Sequence, residues 1–109
     1  MTTLPVLSAD AILDATHQPR PPEPVDVPGL GRVFVPRFNG AELSAFWAAL
    51  ENVPDDQQAG AQLARMLVGE KGERLFGDDK AYDLNQMKAE YVNPIRRKFR
   101  EVNGLDAGN

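Results

Sequence analysis

The chain has 109 residues, 42% of them hydrophobic and 26% charged, with a formal net charge of −4 and no cysteine. That length suits one domain with a modest core. The acidic balance argues against nucleic-acid binding by the whole chain, and the absence of thiols excludes disulfides, thiolate nucleophiles and sulfur metal ligands.

No apolar run approaches the ~20 residues that a bilayer span needs. The opening MTTLPVLSADAIL lacks the basic region and long apolar core of a signal peptide. Ser8 followed by Ala9, Asp10, Ala11, Ile12 and Leu13 predicts a short capped helix, with Asp10 suited to its positive end. QPRPPEP, Gln18 to Pro24, holds four prolines in seven residues and predicts an extended, stiff linker. Residues 1–24 are therefore read as helix plus linker, 25–105 as the folded domain and 106–109 as a tail.

Val25 and Val27 share one side of a predicted strand, and Pro28-Gly29 predicts a type II turn. Arg32 to Arg37, alternating around Val33, Phe34 and Val35, predicts the returning strand of a hairpin, and Pro36 marks an edge or the strand's end. A two-stranded hairpin is marginal alone, so its apolar face must cover something. Asn39 and Glu42 have capping-box spacing. Behind them Leu43, Phe46, Trp47 and Leu50 recur at helical intervals.

Pro54 breaks this helix, and a second carries Ala59, Leu63, Met66 and Leu67, which predicts an antiparallel helix pair. Gly69 to Gly72 reads as a turn clasped by Leu67-Val68 and Leu75-Phe76, and Asp78-Asp79 opens a short helix through Leu84. Leu84, Met87, Tyr91, Ile95, Phe99 and Val102 form a final helical stripe. Asn93-Pro94, read as N-cap and first helical residue, makes that segment either one kinked helix or two end-to-end helices. Asn103-Gly104 is the stop signal. The fold class expected is α+β: a mainly helical small domain with an N-terminal β-hairpin packed on a helical bundle.

Chemistry is hard to find. His17, the single histidine, sits beside the linker with no nucleophile motif around it. Asp55-Asp56 and Asp78-Asp79 lack the alternating ligands, central glycine and closing glutamate of a calcium loop and suit helix starts. Gly69, Gly72 and Gly77 with Lys71 fit neither phosphate-loop pattern. PIRRKFR, Pro94 to Arg100, is more informative. From Lys88 to Asn109 five basic residues face three acidic ones, which is a solvated helix end or a docking patch for an acidic partner. The expectation is a protein that binds without catalysis, cofactor or metal.

Read in order, VDVPGLGRVFVPRF, the helix start NGAEL, GEKGERLFGDD and the terminal VNGL resemble the tail assembly chaperones of long-tailed bacteriophages and prophages. The resemblance covers about Val25 to Leu105. Pro36, Gly69 and the Asn93-Pro94 interruption depart from the family pattern, the last leaving the straightness of the closing helix open. What the resemblance implies is a protein that works in the host bacterial cytoplasm. There it would bind the tape measure protein, assist tube assembly and be absent from the finished virion. Many relatives also have a frameshifted, extended form that recruits the tail tube protein, and self-association is a further possibility. Neither nucleic acid nor membrane is an expected partner.

Client contacts are then expected at Phe46, Trp47, Tyr91 and Phe99, with Arg96, Arg97 and Arg100 gripping acidic groups. Helical spacing equally allows these aromatics to be core, and favours it for Trp47 and Phe99. A structural virion component, such as a connector or tail-completion protein, is the alternative.

Overall fold

The computed structural model describes residues 3–106; the remainder of the proposed tail, residues 107–109, lies outside the described residues. Five helices and a two-stranded antiparallel hairpin make up an α+β domain, with the hairpin packed on the helices.

Helix α1, Ala9–Ala15, is capped as its sequence predicts, the Ser8 hydroxyl accepting the Ala11 N–H. It buries no residue. The proline segment leads directly into strand β1, Glu23–Val27, so the strand begins two residues before Val25 and takes Glu23 and Pro24 from the expected linker. Pro24 is tolerated because β1 is an edge strand, where a missing N–H costs no ladder bond. β1 pairs with β2, Gly31–Val35, in a register that sets Val25 opposite Val33. The turn is the expected one: the Leu30 N–H donates to the Val27 carbonyl, and Gly29 has φ of 85°, which a side chain would strain. Pro36 ends β2 at Val35.

Helix α2, Gly40–Leu50, starts with a complete capping box between Asn39 and Glu42. A 3-10 turn at Asp55–Gln57 leads into α3, Gln58–Met66. α3 touches α2, but its closest neighbour is the short helix α4, Ala81–Leu84. Gly60 permits that approach, since a Cβ there would fall on the Ala81 carbonyl oxygen and within 2.7 Å of the Asn85 nitrogen. Asn85 reinforces it by accepting the Gly60 N–H and donating to the Asp56 carbonyl. The turn from Gly69 to Gly72 is a clasp, but a narrower one than expected. Val68 bridges to Arg74 on one side and to Phe34 of β2 on the other, leaving Leu75 exposed.

Asp78 opens a 3-10 turn, Asp78–Lys80, ahead of α4. Helix α5, Ala89–Val102, runs unbroken through Pro94, with Lys88 rather than Asn93 as its N-cap. The two-helix alternative is thereby settled against. Val92, Ile95 and Phe99 form one buried stripe across the proline, and that continuous packing keeps both halves in register. Gly104 takes φ of 68°; its N–H bonds back to the Glu101 carbonyl and that of Leu105 to the Arg100 carbonyl, a complete Schellman stop.

The core gathers Val25, Val27 and Val35 from the hairpin, Phe46 and Leu50 from α2, Leu63 and Met66 from α3, and Ile95 and Phe99 from α5. At its centre Phe38, Phe46 and Phe99 pack ring to ring with centroids 5.0 to 5.8 Å apart.

Candidate functional site

Helices α2 and α5 leave a small groove of about 140 Å³ between them, and five of the seven residues expected at a binding surface line it. Their roles differ. Phe46 is 2% exposed and Phe99 fully buried, so both are corrected from partner contacts to floor and core. They sit at the centre of the stripes on α2 and α5, which meet there, and no partner reaches their rings without unpacking them. Trp47 is the reverse: named as a client contact although helical spacing favours core for it, it stands 47% exposed. The stripe of α2 is centred on Leu43, Phe46 and Leu50. One residue further is about 100° around the helix, which carries Trp47 past the volume that Phe38 and Phe99 fill. It lies edge-on against Phe46, centroids 5.1 Å apart, and presents its outer surface to solvent.

Arg96 and Arg100 form the opposite rim, with Met66 and Leu105 completing the floor. Four residues apart on one helix, their side chains share a face. Arg100 is held by Asp106 at 2.9 Å and by the Leu105 carbonyl. Arg96 is exposed and has no ion pair among the described residues.

The remaining two expected residues lie elsewhere. Arg97 is turned toward the hairpin, beside Pro24, Val25 and Pro94, so the RRK run does not form one patch. Tyr91, about 13 Å along the helix from Arg100, packs beneath the hairpin turn. Its hydroxyl lies 3.4 Å from the Gly29 carbonyl, to which it donates, and the Lys88 ammonium sits 5.6 Å over its ring. Tyr91 is thus a hairpin anchor.

A second, larger cleft of about 400 Å³ was not legible in the sequence. Arg20, Arg37, Arg65 and Arg74 converge on it from four separate segments over Pro22, Phe38, Phe46 and Val68. No local spacing could have signalled it. Its arginines have internal partners: Arg20 with Glu42, Arg37 with Glu23, and both Arg65 and Arg74 with Asp78. Arg20 also donates to the Arg37 carbonyl, which straps the proline segment to the domain. The hydrogen bond from Arg74, with the Arg65 charge nearby, holds the Asp78 carboxyl below its ordinary range. The Asn39 N–H, followed by Arg20, does the same for Glu42. These are structural pairings; carboxylates depressed in this way are poor proton donors near neutrality.

Among the described residues no three metal-ligating side chains come together, no buried polar side-chain atom lacks a partner, and no helix is long and apolar enough to cross a membrane. Comparison with known proteins found no matching family model, no similar curated protein and no similar solved structure.

Proposed function

We propose that this protein is a non-enzymatic tail assembly chaperone of a long-tailed phage or prophage, acting in the host bacterial cytoplasm on the tape measure protein. The residue resemblance from Val25 to Leu105 is the source of the family reading. The observation that carries the binding mode is an exposed Trp47 facing Arg96, which has no ion pair among the described residues, across an apolar floor. Tryptophan and arginine are the side chains most often found as interface anchors, since each joins a large contact area to directional bonding. A narrow groove between two helices suits the apolar edge of a client helix, with acidic side chains reaching Arg96 and Arg100. Such a client is what a long helical tape measure protein offers, and shielding it keeps its apolar face from self-association.

The test is co-expression with the long, helix-rich reading frame expected next to this gene. Capture and solubility of that product should both fall with Trp47→Ala and with Arg96→Glu. Failure of the wild-type chain to capture it removes the chaperone reading. Mass spectrometry of purified particles separates the alternative, because a structural virion component would be present in them and a chaperone absent.

A further inference from the structure

We propose that the N-terminal arm of one copy of this chain docks in the Trp47–Arg96–Arg100 groove of a second copy, and that two chains exchange arms reciprocally to form a dimer. The arm is a segment with no surface of its own to cover. Ile12 and Leu13 of α1 are more than half exposed, and Leu4, Val6 and Leu7 before it are equally bare. Seven residues are too few to hold a helix in water by backbone bonding alone, yet this one has a Ser8 cap and sets Ile12 and Leu13 on neighbouring faces, about 100° apart. A capped turn with bare apolar side chains is suited to a partner surface.

Charge identifies that surface. Residues 3 to 16 contain Asp10 and Asp14 and no basic residue. These carboxylates stand four residues apart on the Leu13 side of α1, away from Ile12, and without ion-pair partners among the described residues. Arg96 and Arg100 stand four residues apart on the rim of the groove, the same spacing with opposite charge, beside an exposed apolar ring. Laid along α5, α1 can set Leu13 on Trp47 while Asp10 and Asp14 meet Arg96 and Arg100, with the latter shared with Asp106. A second copy is the occupant because the isolated chain holds its arm off its own surface, with α1 burying nothing. Exchange in both directions satisfies two arms and two grooves and closes the assembly.

This inference rests on the groove being the binding surface named above, and it adds that the chaperone covers the groove with its own arm before a client arrives. Sedimentation velocity of the full chain over a wide concentration range is the test, with no client present. Wild type should dimerise, and both Ile12→Asp with Leu13→Asp and Arg96→Glu should weaken the dimer about tenfold or more. Mixing a chain carrying Asp10→Lys and Asp14→Lys with one carrying Arg96→Glu and Arg100→Glu should restore association that neither shows alone. A chain monomeric throughout, or a dimer indifferent to the arm substitutions, overturns the proposal. Client capture by the arm variants is scored separately: capture without dimers sinks the arm alone, and dimers without capture sink the chaperone reading alone.

Discussion

Asn103 joins the exit of the hairpin to the end of the last helix. Its amide donates to the Pro36 and Phe99 carbonyls, and its oxygen accepts the Phe38 N–H at 2.8 Å. Removing it leaves partly buried backbone groups unpaired, so Asn103→Ala should cost about 1–3 kcal/mol, read from urea unfolding. Gly60 offers a test in which two effects oppose. Alanine would gain about 1 kcal/mol of helix propensity, yet its Cβ meets the backbone of α4, which cannot yield as a side-chain tip would. Gly60→Ala should therefore destabilise by about 1–3 kcal/mol in the same measurement. Asn103 was legible in the sequence as part of a helix stop; its reach to the hairpin was not. Nothing in the spacing of Gly60 or Asn85 announced that two helices cross there.

Among the elements, α2 and α5 carry the sharpest consequences. Glu42 serves both the capping box and the Arg20 strap, and its folded carboxyl is held below the ordinary glutamate range. A depressed carboxyl adds stability that is present above the unfolded value of about 4.3 and lost as pH falls through the folded one. The thermal midpoint should thus decline on the acid side of that value, and Glu42→Gln should flatten part of the decline, the rest falling to Asp78 and to Asp26, whose carboxyl the Arg32 hydrogen bond also holds low. In α5, Pro94 lies inside the helix, where it lacks the N–H that would bond to the Glu90 carbonyl. Pro94→Ala is expected to raise stability by about 1–3 kcal/mol, visible as a higher melting temperature. The stripe Val92–Ile95–Phe99 explains why the helix tolerates the proline at all. Sequence rules mark such a proline as a boundary because they see the local backbone and not the packing that overrides it.

At the scale of the molecule, hairpin and helices divide the aromatics between support and surface. Phe38, Phe46 and Phe99 hold the centre together, and Tyr91 anchors the hairpin turn. Trp47 is left outward. Phe99→Ala should cost about 3–5 kcal/mol by chemical denaturation, whereas Trp47→Ala should change stability by less than about 1 kcal/mol. That contrast, measured on the two purified variants, separates a side chain that builds the fold from one that serves the groove. The two arginine sites divide similarly: the larger cleft spends its guanidinium groups on internal carboxylates, and the smaller groove keeps Arg96 available.

Local chemistry was enough to specify the caps at Ser8 and Asn39, the Pro28-Gly29 turn, the end of β2 at Pro36, the stop at Gly104 and the α+β class. Each depends on neighbours within a few residues, so the sequence by itself carries the information. Tertiary packing decided the rest. Whether Trp47 or Phe46 turns inward depends on where α5 lies, and whether Arg96 and Arg97 act together depends on how far the hairpin wraps one side of that helix. The convergence of Arg20, Arg37, Arg65 and Arg74 needs four distant segments in place at once. Periodicity marks which residues share a helix face; only the neighbouring elements determine whether that face becomes core or remains open to a partner.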